Sequence, residues 1–295
     1  MEESSRHHFI PQFYLRHFTN EKGKFYIYLV KEDKFKGGNQ LFSPKQQFYE
    51  NYANTLTYEN VQTDFIEKEF SNIDADVSRI INKASLDHHS LVEREWMMLQ
   101  YFVNILYWRC PCNTPQVKEY LQSASKLSDL KMSIRNKETN EPASEEEQNE
   151  WLKRFQDDPD FYKFIKISLP GITYPEIFEK NVTDFAHIFE FPFSNNLPKL
   201  VSDNPIIYRK SGSESLHRDE FIFKLTHSKL LFRHRIKSPQ IMSTIRLMVD
   251  VLFVMQANQY VSCTDMTYPR LLRNTFERSG QTVEKLRQEI FNMIT

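Results

Sequence analysis

Glycine is nearly missing from this chain: there are six in 295 residues, where average usage is roughly 7%. A phosphate cradle built on glycine is therefore excluded, and neither GxGxxG nor GxxxxGK(S/T) occurs. Cysteine is scarce as well. The three residues, Cys110, Cys112 and Cys263, make an odd count. In a chain that opens MEESSRHH, without an export signal, that count predicts reduced cytoplasmic thiols rather than a disulfide framework. Cys110-Pro-Cys112 has no second Cys/His cluster at zinc-finger spacing, and the two stand too close for an ordinary structural bridge. No sign of charge dominates, since 38 basic residues nearly cancel 39 acidic ones. That balance rules out a disordered tail and a wholesale polyanion-binding surface. No apolar run reaches the roughly 18 residues of a membrane span, so neither a membrane role nor a location outside the cytoplasm is expected.

What the chain has in excess is large rings: 24 Phe, 14 Tyr and 3 Trp, enough to build its core and clefts. The opening, HHFIPQFYLRHF, packs Phe9, Ile10, Phe13, Tyr14, Leu15 and Phe18 into ten residues. Pro11 suits the start of a short helix, on which Gln12 and Arg16 share one face. Burying such side chains gains roughly 1.5–3 kcal/mol each, so residues 8–18 are expected to dock in the core. Phe25 to Val30 reads as a strand. Steps of three and four residues from Phe65 to Ile81 predict an amphipathic helix. Ser90 with Glu93 offers a capping box for a second helix, Leu91 to about Cys110, apolar nearly all round and ended by Pro111. A third helix is expected from Pro115 to about Ile134. Residues 136–149 (NKETNEPASEEEQN) read as an exposed connection, with Ser144 and Glu147 capping a helix through Trp151 and Phe155. Pro175 is expected to open another helix.

From His187 to His234 the pattern changes to short β-type runs broken by Pro, Asn and Ser. Pro239 then starts an apolar helix, Tyr260 to Cys263 reads as one more strand, and two helices follow from about 268 to 295. Helices and strands are segregated, so the expected fold is α+β: one domain with a largely helical core, a small sheet mainly from 187–235 with the strand near 25–30, and a helical C-terminal extension.

Three motifs resemble a known family. His8-Phe-Ile-Pro11-Gln12-Phe-Tyr14-Leu15-Arg16-His-Phe18 is similar to the HxxPxxYLxxF opening of a widespread bacterial family, the domain of unknown function numbered 4238. Trp108-Arg109-Cys-Pro111 resembles its Arg-x-Pro, and Ser202-Asp203-Asn204-Pro205 its (Thr/Ser)-Asp-x-Pro turn. A β segment follows, reading Phe-Lys-Leu-Thr-His227 where the resemblance leads one to expect Phe-Pro-Leu-Ser-Pro. The family carries no activity over, but it marks polar residues to follow.

Each of those residues has a chemical and a structural reading. His8 titrates near neutrality and suits proton transfer, or it bonds backbone at the helix start. Arg16 and Arg109, set among apolar residues, suit bidentate phosphate binding, or a structural ion pair with Asp203 or Asp74. Asp203 suits orientation of water or of a divalent cation, Mg²⁺ or Mn²⁺, or, with Asn204 and Pro205, merely a turn that ends a strand. Asp64, Glu67, Asp74 and Asp76 are expected on a solvated helix face. The run from Phe232 to Lys237 mixes rings and cations and suits a phosphate backbone, or a charged edge strand.

Polar residues in three distant aromatic-rich motifs are explained by one shared cleft. The expectation is thus a phosphoester hydrolase acting on nucleic acid, or on nucleotides: His8 and Asp203 catalytic, Gln12, Arg16, Arg109 and Asn204 holding substrate. The rival expectation is a non-catalytic binding module, or a sensor of a small anionic ligand, in which the same residues form a structural network.

Overall fold

The computed structural model describes residues 5–58, 61–159, 161–166, 168, 170, 186–191, 197–209, 220–233 and 243–294. The chain is α+β. A short strand β1 (Arg6–His8) leads into helix α1 (Gln12–Leu15), continued by a 3-10 turn over Arg16–Phe18. Strands β2 (Tyr26–Leu29), β3 (Lys34–Phe35), β4 (Tyr49–Asn51), β5 (Leu56–Tyr58) and β6 (Val61–Thr63) follow. Four helices come next: α2 (Phe65–Leu86), α3 (Glu93–Arg109), α4 (Thr114–Ser123) and α5 (Glu145–Asp157). Then come β7 (Ala186–Glu190), β8 (Leu200–Ser202), β9 (Ile206–Tyr208), β10 (Phe221–Lys224) and β11 (Lys229–Arg233). Helix α6 (Ser243–Met255), strand β12 (Tyr260–Cys263) and helices α7 (Tyr268–Ser279) and α8 (Val283–Ile294) complete the described chain.

The strands form two four-stranded antiparallel sheets rather than one, plus two small two-stranded pairings. One sheet has the order β7-β11-β10-β9 and comes wholly from the 186–233 region. The other, β3-β2-β12-β8, joins the N-terminal strand to two strands from the far end of the chain. Both sheets are covered on both faces. Phe221, Phe223 and Leu231 belong to the apolar cluster that holds α2 and α3, while the alternating Ile222, Leu230 and Phe232 belong to the one that holds α6, α7 and α8. A strand buried on both faces has no polar alternation to show, and β10 and β11 are accordingly almost continuous apolar runs. This also corrects the reading of Phe232 and Arg233 as an edge: β11 pairs on both sides, with β7 and β10. The rest of that basic run lies outside the described residues, as does the helix expected to open at Pro175; the apolar helix expected from Pro239 is present as α6, with its first residues outside the described ones.

Other boundaries shift for local reasons. The cap of α3 is at Val92, whose N–H donates to Glu95 Oε2 at 2.9 Å, whereas the Ser90 hydroxyl turns back to the Asp87 carbonyl. The third helix stops at Ser123 and gives way to a 3-10 turn, Leu127–Leu130. Within the polar connection, Ser144 caps α5 through a reciprocal box with Glu147.

The opening segment is locked in place. Ile10, Tyr14, Leu15 and Phe18 are fully buried. The Tyr14 ring stacks on Phe223 at 5.1 Å, and its hydroxyl donates to the Lys224 carbonyl at 2.6 Å. Lys224 stands where the resemblance leads one to expect proline. The alternation of β10 aims its side chain into the second cluster, where an ammonium must find partners. Lys224 Nζ donates to Asp250 Oδ1 at 2.5 Å and to the Leu200 carbonyl at 2.8 Å. Asp250, on α6, also pairs with Arg246 and accepts from the Tyr268 hydroxyl at 2.8 Å. Burial, and then the Arg246 charge, pull the Lys224 ammonium down to about 7, while the two cations hold the Asp250 carboxyl below its ordinary value against the opposing effect of its burial.

Candidate functional site

Three distant segments converge at one end of α3. The helix closes on Arg109, and Pro111 turns the chain across the opening segment. Arg109 Nη2 donates to the His8 carbonyl at 2.6 Å, Nη1 to Asp74 Oδ1 at 2.9 Å, and the guanidinium lies 4.3 Å over the Phe70 ring. Both terminal nitrogens of Arg109 are thus taken by the protein, while its buried Nε has no hydrogen-bond partner among the described residues. Asp74, one of the two carboxylates expected to pair with an arginine, is its partner and so leaves the solvated face on which it was also expected: its carboxyl is raised by burial, which outweighs the pull of Arg109.

Asp203 follows β8 and is equally engaged. Its Oδ1 accepts from the Asn258 N–H at 2.8 Å, and its Oδ2 from those of Gln259 and Tyr260 at 2.7 and 3.1 Å. Burial raises its carboxyl, and these amides and Ser202 draw it back. Asn204 completes the clamp: its Nδ2 donates to the Gln256 carbonyl, and Gln256 Nε2 donates to the carbonyls of Asn204 and Ile206. The Ser-Asp-Asn-Pro turn therefore caps the connection between α6 and β12 and sets the register of β12 in its sheet.

His8 is 8% exposed, with its ring 5.6 Å from that of Tyr49. Its Nδ1 stands 3.5 Å from Gln12 Nε2, and its Nε2 has no hydrogen-bond partner among the described residues. Burial is the main cause that lowers its pKa to about 4, so the imidazole is neutral at pH 7. Gln12 is half-buried beside it. Arg16 does not join the cluster: it lies exposed on the next turn, and its carbonyl accepts from the Thr19 hydroxyl.

Between these anchors lies a small, partly open cleft of about 70 Å³, lined by Phe9, Tyr49, Glu50, Pro111, Cys112, Asp203, Asn258, Gln259 and Tyr260. Each of the three motifs supplies one wall. The lining side chains themselves come mostly from elsewhere. Tyr49 and Glu50 lie on β4, within a stretch that reads as irregular, and Asn258 and Gln259 fall in a turn with no motif of its own. Only the residue next to each motif could have marked them. Lys166, just outside the lining, is drawn to Glu50. Among the described residues, no group of three His, Cys, Asp or Glu side chains is placed to hold a metal ion. No described helix is long and apolar enough to cross a membrane.

No curated protein and no solved structure matches the chain. A family model does, over residues 6–259, under the description "Protein of unknown function (DUF4238)". Its boundary falls just before β12, an interior strand of the second sheet, so the folded unit runs past it. With the three motifs in place and the match spanning most of its length, the chain belongs to the DUF4238 family.

Proposed function

We propose that this protein is a non-catalytic binding module whose cleft takes a small polar ligand rich in hydrogen-bond donors. One observation carries the reading: the two charged motif residues at the cleft are engaged within the fold, Arg109 on Asp74 and the His8 carbonyl, and Asp203 on three backbone amides, while the third, Arg16, lies exposed away from it. Phosphate binding needs a free cation, and water activation needs a free carboxylate or metal donor set. The described lining instead leaves one carboxylate for a ligand, Glu50, since Asp203 is held by its amides, and it bears no Lys or Arg. That sign repels phosphodiesters and suits amides or amines.

The test sets uncharged amides and organic amines against inorganic phosphate, nucleotides, RNA and DNA, with and without Mg²⁺ or Mn²⁺. Ligand-observed NMR is expected to show donor-bearing compounds binding and their signal lost in Glu50→Lys. Phosphates are expected neither to bind nor to turn over. The nuclease reading returns if RNA or DNA is cleaved and Asp203→Asn abolishes cleavage at an unchanged melting temperature.

A further inference from the structure

Cys110 and Cys112 flank Pro111 at the foot of the cleft, and the proposed ligand does not require them. They differ in access. Cys110 is 1% exposed, whereas Cys112 is half-buried and lines the cleft. The neighbouring Cys112 thiol, together with burial, pushes the Cys110 thiol well up from its ordinary value. Pro111 begins a 3-10 turn, Pro111–Asn113. A helical residue between two others brings their Cα atoms to about 5–5.5 Å, inside the roughly 4.4–6.8 Å that a disulfide spans. Spacing alone suggests a pair too close to bridge, but this backbone has the right Cα separation. Cys263 is the internal contrast in access: it is fully buried on β12 and lines no part of the cleft.

We infer that Cys112 and Cys110 form an oxidisable dithiol, a modification site at which a hydroperoxide entering the cleft is reduced as the pair closes to a disulfide. The Cys112 sulfur attacks the peroxide O–O bond, giving a sulfenic acid and releasing the alcohol, or water from hydrogen peroxide. The Cys110 sulfur then displaces hydroxide from the sulfenic sulfur, forming the S–S bond and a water molecule. The two thiols lose two electrons and two protons, and the peroxide gains both. A three-residue ring is tight, so a thiol reductant reopens it readily.

The experiment is a peptide map of the full chain after brief treatment with hydrogen peroxide or cumene hydroperoxide and blocking of free thiols. Trypsin cleaves after Arg109 and Lys118, placing both cysteines in one fragment. The expected result is a loss of two hydrogens in residues 110–118, reversed by dithiothreitol, with Cys263 still blocked as a free thiol. In Cys110→Ser, dimedone is expected to trap Cys112. The wild-type map decides the matter alone if that variant does not fold. Oxidation of Cys263 first, disulfide-linked dimers, over-oxidation of 110–118 with no bridge, or no reaction would each overturn the inference.

Discussion

His8 shows how one side chain can look chemical and act structurally. Its carbonyl holds Arg109, its ring packs near Tyr49, and its burial keeps the imidazole neutral. An unfolded imidazole takes its proton near 6.5, whereas folded His8 takes it only near 4. Between those values the unfolded chain binds more protons, so stability present above 6.5 is lost as pH falls toward 4. His227, lowered to about 4 by burial and then by the Lys199 charge, adds to the same acid limb. Asp74 and Asp203, with raised carboxyls, act in the opposite sense at lower pH, so the informative quantity is a difference between variants. Urea denaturation at stepped pH is expected to give a shallower decline between 6.5 and 4 for His8→Asn than for the wild type. Equal slopes would mean that His8 titrates normally in the folded chain.

At the scale of elements, the sequence reads best where the signal is local. The three- and four-residue rhythm of α2, the all-round apolarity of α3 and the ring-rich β2 need no knowledge of the rest of the chain. What pairs with what is different. β12 lies between β2 and β8, and nothing in the run Tyr260–Cys263 names either strand, one of them at the other end of the chain. The Asp203 amides lie 55 to 57 residues downstream, and Arg109 had two carboxylates to choose between. A turn motif shows that a turn exists; its contacts depend on the sheet that it closes. The cleft was legible only as a convergence of motifs, not as the Tyr49, Glu50 and Gln259 that line it. The C-terminal helices give a test at this scale. Leu272, Phe276, Leu286, Ile290, Phe291 and Ile294 are buried in the second cluster, and Tyr268 bonds Asp250. Although the family match ends at residue 259, a chain cut after residue 264 is expected to be aggregated or unfolded by circular dichroism and size-exclusion chromatography. A monomeric, cooperatively melting truncation would show that α7 and α8 are appendages.

Across the whole molecule, the two sheets stand between two apolar clusters, and the family's motifs tie the layers together. Tyr14 pins the opening segment to β10, Arg109 ties it to α2 and α3, and Asp203 sets β8 against the turn that leads into β12. The central claim is that Arg109 and Asp203 serve architecture rather than chemistry. The most direct measurement is the unfolding free energy of Arg109→Ala and Asp203→Ala in urea. Removing one member of a buried ion pair costs about 3–5 kcal/mol, and orphaning buried amides costs about 1–3 kcal/mol for each group left unmatched. Both variants are therefore expected to lose about 3 kcal/mol or more. Unfolding curves for both that overlay the wild type would contradict the account and return these residues to the candidates for binding or catalysis.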